Sequence, residues 1–197
     1  MTDTLVERYR QLFTAFYDVD AEPPVPPANR ARFLAERSRR ILDIARLLHT
    51  GWPRTTALAQ AHAGDQLVHA VACGIPLLAE HAGSISDAIE TGLTGWLAGR
   101  ELPLLQWVFA FEQLSRGRDG IARPASAEER ALLPVPPAAP AWVLAAPFDL
   151  PRAIRAVDFL LARSATSALL REVVPLGGPG TVTAYRDGSG RIRVLAG

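Results

Sequence analysis

Lysine is absent from this chain of 197 residues, so every basic side chain is an arginine. A GC-rich coding bias explains that absence more simply than a functional demand for guanidinium groups. Cysteine is nearly absent too. A single residue, Cys73, excludes an internal disulfide and cannot build a thiolate metal cluster, which fits a reducing compartment. No surplus of one charge exists, since 21 basic residues face 20 acidic ones, and nothing in that balance calls for nucleic acid or an anionic membrane. No run approaches the ~20 apolar residues that span a bilayer, and the opening MTDTLVERYR lacks the apolar core of a signal peptide, so the expected location is the cytoplasm. Catalytic signatures are missing as well: there is no nucleophile elbow, phosphate-binding Gly-Lys-Ser/Thr loop, dinucleotide glycine fingerprint, His-Glu-x-x-His or paired-cysteine set. Catalysis by Cys73 would need a base beside it.

What is present is a 49% apolar composition, enough for a real core. Leu5, Tyr9, Leu12, Phe13 and Phe16 recur at helical spacing over Thr4 to Asp18, and the four prolines of Ala21 to Pro27 then form a stiff connector. Asn29 can cap a helix running to about His49, with Leu34, Ile41, Ala45 and Leu48 as its buried stripe and Gly51 with Pro53 as its stop. That helix is basic, with six arginines against Glu36 and Asp43. Pairs Glu36–Arg40 and Arg39–Asp43 neutralise part of it, and the remainder is a solvated face, a dock for an acidic protein or peptide, or, least favoured because no aromatics interleave the arginines, a nucleic-acid contact.

Thr55 to Cys73 reads as an alanine-rich helix weakened at Gly64 and ended by Gly74-Ile75-Pro76, with a short helix over Pro76 to His81 and another from Ser84 to Leu97. His62, Asp65 and His69 fall on one face of the first. Their types suit a metal, yet the two histidines stand ~10 Å apart along a helix axis, so another element would have to complete a site. Leu102 to Arg116 is the most apolar helix, expected at the centre of a bundle, and its Glu112 needs a partner there.

Gly117 to Pro140 is rich in proline and alanine, with one short helical stretch at Ala125 to Leu133. The expected organisation is a helical domain over residues 1–118, a linker over 119–140 and a small α+β domain over 141–197. In that last part Ala141 to Ala146 reads as a strand, and Pro151 to Leu170 as a helix whose stripe is Ile154, Val157, Leu161, Ala165 and Leu169. Thr181 to Gly197 reads as a β-hairpin turning at Asp187-Gly188-Ser189-Gly190, about three antiparallel strands in all. Pairing Arg186 with Arg191 sets Tyr185 opposite Ile192 and Thr183 opposite Val194. It also opposes two arginines, which a bulge or a bound acid would have to relieve.

The last core helix, Leu102-Pro103-Leu104-Leu105-Gln106-Trp107 with Phe111-Glu112, the Pro-rich stretch after it, Trp142-Val143-Leu144 and the terminal Tyr185-Arg186-Asp187-Gly188 hairpin together resemble the accessory subunits of iron-dependent peptide-modifying oxygenases of the methanobactin type. The resemblance implies a subunit with no catalytic residue and no cofactor of its own. It implies a TIM-barrel partner holding iron, and a joint action on cysteines of a ribosomally made precursor, giving oxazolone and thioamide groups, with this subunit helping to bind the precursor's leader. The hairpin agrees with that on one point, since an open strand edge captures an extended peptide by strand addition. Thr183, Tyr185, Arg186, Arg191 and Arg193 are the candidate peptide-binding residues. Two other readings stand beside it: a helical DNA- or ligand-binding regulator with a pocket beneath Trp96 and Trp107, and a metalloprotein using His62, Asp65 and His69.

Overall fold

The computed structural model describes residues 2–79, 84–134 and 139–196. The chain is α+β, a mostly helical N-terminal region followed by helices on a four-stranded antiparallel sheet, and it divides into two compact units, Met1–Glu101 and Leu102–Gly197.

The first unit holds α1 (Thr2–Ala15), α2 (Arg30–Gly51), α3 (Pro53–Ala63), α4 (Gln66–Ala79) and α5 (Ile85–Ala98). The buried side of α2 carries Phe33, Arg37, Ile44 and Leu48, so the stripe is rotated from the one expected and leaves Leu34 at the surface. The cause is Arg37. The residue is 6% exposed, and its guanidinium donates to the carbonyls of Val19 (3.0 Å) and Ala21 (2.7 Å), fastening the chain between α1 and the prolines onto α2. The expected pairs of α2 both form, Arg40 with Glu36 at 2.9 Å and Arg39 with Asp43 at 3.1 Å.

Gly64, at φ +57°, ends α3, so the helix expected over Thr55 to Cys73 is two helices. The second does not stop at Gly74-Ile75-Pro76 but continues to Ala79, because Leu67, Val71, Ala72 and Ile75 are buried on the side that meets α5. Core burial thus outweighs the local cost of proline. The short helix expected over Pro76 to His81 is the end of α4, and residues 80–83 lie outside the described residues. Ser84 caps α5, its Oγ accepting from the Asp87 amide at 3.2 Å.

In the second unit, α6 (Pro103–Ser115) packs against α8 (Leu150–Ala162) and the sheet, burying Leu104, Leu105, Val108, Phe109 and Leu114. It is therefore the central helix of the sheet unit and not of the N-terminal bundle. An all-round apolar helix states only that neighbours surround it, not which ones. The stretch 119–140, expected as a linker, likewise belongs to this unit: it contains β1 (Arg123–Pro124) and the short α7 (Ala127–Ala131). A full capping box builds α7, with Ser126 Oγ accepting from the Glu129 amide (3.2 Å) and Glu129 from the Ser126 amide (2.7 Å), while Arg123 grips the same carboxylate at 2.6 Å.

Strands β2 (Ala141–Ala146), β3 (Gly180–Arg186) and β4 (Ile192–Ala196) complete a sheet of order β1-β2-β3-β4, every pair antiparallel. Leu144, Ala146, Val182 and Ala184 are buried on the side that meets α6 and α8. The opposite face carries a small second core of Ala141, Val143, Tyr185 and Ala125, with Leu133 against it. Helix α8 ends earlier than expected, at Ala162, and after Ser164 (φ 49°) a short α9 (Ser167–Arg171) follows, so that Leu170 is buried while Leu169 is exposed.

Candidate functional site

The candidate site grows out of the hairpin register. Arg186 stands opposite Ile192, Tyr185 opposite Arg193 and Thr183 opposite Leu195, one residue away from the expected pairing of Arg186 with Arg191. Asp187 causes the shift. Its amide donates to the Arg191 carbonyl at 2.8 Å, extending the ladder by one pair and leaving Gly188-Ser189-Gly190 as the loop, with Gly190 at φ +80°. Its Oδ1 accepts from the Ser189 amide (2.9 Å), the Ser189 hydroxyl (2.6 Å) and the Arg191 amide (3.0 Å), and Oδ2 accepts from Arg193 Nε at 2.8 Å. The Ser189 hydroxyl and then the Arg193 guanidinium hold this carboxyl well below the usual aspartate range. The acid that relieves the clustered arginines is thus the chain's own, and Arg186 is turned away onto the Gly190 carbonyl at 2.8 Å.

The register also decides which backbone groups are open. In an antiparallel ladder, successive residues point their N–H and C=O to opposite sides. Because Asp187 and Arg191 bond to each other, Tyr185 with Arg193 and Thr183 with Leu195 are the bonded pairs of β3 and β4. The same parity appears across the sheet, where the Arg186 amide donates to Pro140 at 3.1 Å and the Ala125 amide to Ala141 at 2.9 Å. Ile192 and Val194 therefore aim their amides and carbonyls outward from β4, the terminal strand of the sheet, and no described strand pairs with them. Arg191 and Arg193 are exposed beside this edge, and Leu195 is 39% exposed on the same side of the sheet as Arg193.

Of the five candidate residues, Arg191 and Arg193 lie on or next to the open edge, and Arg186 closes the loop. Thr183 and Tyr185 sit on the interior strand β3, with both backbone edges taken, and Tyr185 is buried in the second core. Sequence reasoning missed Ile192 and Val194 as the outward-facing residues, because their orientation follows from a register set by one carboxylate.

The other candidates are placed as follows. His62 ends α3, Asp65 lies in the turn and His69 is on α4; all three are exposed, and no group of three His, Cys, Asp or Glu among the described residues is placed to hold a metal ion. Asp65 and His69 do line a cleft of about 390 Å³ with Ile41, Leu42 and Val68. Cys73 is half-buried with Sγ 3.6 Å from the Tyr17 carbonyl, and burial, then the charges of Asp18 and Asp20, push its thiol up, away from a reactive thiolate. Trp96 is covered by the Arg100 guanidinium at 3.9 Å, whereas Trp107, in the other unit, meets Phe148 edge-on at 6.4 Å. Glu112 is 2% exposed and is engaged by other groups. Among the described residues no helix is long and apolar enough to cross a membrane.

Comparison with protein-family models, with curated proteins and with solved structures finds no match to this chain.

Proposed function

We propose that this chain is a non-catalytic partner subunit that captures an extended peptide along β4. The observation that carries the reading is the outward row of amides and carbonyls at Ile192 and Val194 on a terminal strand with arginines beside it. Strand addition takes its affinity from such backbone groups and its register from flanking side chains, here Arg191 and Arg193 for acidic residues and Leu195 for an apolar one. Together with the motif resemblance, this supports a specific assignment: the peptide is the leader of a ribosomally made precursor, and the partner is a TIM-barrel oxygenase holding iron, which oxidises the precursor's cysteines to oxazolone and thioamide groups.

The test is co-expression with a barrel oxygenase and a cysteine-containing peptide encoded beside this gene. A stable complex, iron found only when the oxygenase is present, and leader binding that is lost in Val194→Pro are the expected results. Absence of any complex, together with failure of the leader to bind either the chain or the pair, would refute the assignment. The Asp65–His69 cleft favours a second reading, a regulator that binds a small ligand. Saturable binding of such a ligand, lost in His69→Ala and indifferent to Val194→Pro, would support it.

A further inference from the structure

The seam of α1 and the basic side of α2 point to a second docking surface, which does not rest on the reading of β4. Leu5, Tyr9, Leu12 and Phe16 follow one another at intervals of four, three and four residues, the spacing at which one helix presents a continuous row to another. In a helix that has found its partner such a row is buried, yet Leu5 is 65% and Tyr9 69% exposed. The row runs into a groove of about 630 Å³, where Leu12 and Phe16 face Phe33 and Ala35 of α2, and Val25 lies at the side.

The rim of the groove fixes the sign of what enters it. Arg32 and Arg39 line it together with Glu36. The Glu36 carboxylate is taken by Arg39 at 2.7 Å and Arg40 at 2.9 Å, whereas Arg32 meets no carboxylate among the described residues. Helix α2 as a whole has six arginines and two acids. A second copy of α1 is a poor match, because α1 carries Asp3 and Glu7 against Arg8 and Arg10 and brings no surplus of negative charge.

We propose that the α1–α2 groove receives an amphipathic helix of a partner protein, apolar on one side and acidic on its flanks. The seam residues supply the apolar contacts, and Arg32, the rim arginine that meets no carboxylate among the described residues, chooses the partner's charge. From Leu5 to Phe16 the row is about 16 Å long at 1.5 Å per residue, a contact of about three turns.

The probe is a fluorescein-labelled synthetic helix of about 18 residues, five turns, with leucine at the seam positions and glutamate on the flanks. A control peptide carries lysine in place of glutamate. Anisotropy titrations with the full chain should show saturable binding of the acidic helix, weakened by salt, and binding of the basic helix at least about tenfold weaker. Tyr9→Glu and Arg32→Glu, both at exposed positions, should each weaken it at least about tenfold with far-UV circular dichroism unchanged. Val194→Pro should leave it intact, which separates this surface from the β4 edge. Equal binding of the two peptides, indifference to both variants, or a chain that sediments as a dimer and becomes monomeric in Tyr9→Glu would each overturn the proposal; the last would give the groove to a second copy.

Discussion

Proline substitution at two neighbouring positions of β4 tests the assignment of its open edge. The Arg193 amide points inward to the Tyr185 carbonyl, while the Val194 amide points out of the sheet. Proline removes an amide hydrogen wherever it is placed, so the two substitutions differ in what that hydrogen was doing. Arg193→Pro leaves the carbonyl of Tyr185, a residue only 8% exposed, without its donor, a loss of about 1–3 kcal/mol. For a unit of this size that corresponds to a fall in midpoint of about 5–20 °C. Val194→Pro removes no ladder bond. Because Arg193→Pro also loses the contact to Asp187, and Val194→Pro trims a half-buried side chain, each is compared with alanine at the same position, which keeps the amide. Thermal and urea unfolding followed by circular dichroism should give a large Pro-minus-Ala difference at position 193 and a small one at 194. Hydrogen exchange should show protected amides at Arg193 and Leu195 and fast exchange at Ile192 and Val194. Equal penalties at the two positions, or a protected Val194 amide, would refute the register argument and the peptide dock built on it.

Two further outcomes follow from the same unit. The Asp187 carboxyl is held below its ordinary range in the folded chain, so the stability it contributes is present above its unfolded value near pH 4 and is lost as the pH falls through the lower folded value. Asp187→Asn should therefore unfold at a lower temperature than the parent at neutral pH, with the gap closing below about pH 4; a gap constant from pH 7 down to strongly acid conditions would contradict this. A Cβ at Gly180 would sit 3.0 Å from the Phe148 carbonyl oxygen and 3.1 Å from Asp149 Cα, backbone atoms that cannot swing aside. Gly180→Ala should cost about 1–3 kcal/mol in urea unfolding, whereas Gly188→Ala, with nothing within 4 Å, should be close to neutral.

The division into helices first and sheet last was legible in the sequence because periodicity and glycine-rich turns are local signals. Ownership of elements was not. Leu102 to Arg116 has the same apolar pattern whether it sits in a bundle or beneath a sheet, and only the partners it meets, α8 and the strands β2 to β4, distant in sequence, decide it. Pro76 misled for a related reason: the cost of proline is local, while the burial of Val71 and Ile75 that offsets it is tertiary. At the candidate site the turn was readable from Asp187 to Gly190, but the register depended on whether Asp187 joined the ladder or the loop. A shift of one residue is enough to exchange inward and outward backbone groups along the whole of β4.

The placement of residues 119–140 inside the sheet unit changes what that stretch is for. A spacer between domains sets a distance, and altering its length moves one body against another. Here Leu133 packs on the cluster that contains Ala141, and Arg123 and Pro124 pair with β2. Residues 123–131 thus serve as the outer cover of β2, so shortening them would bare a strand edge instead of moving one body against another.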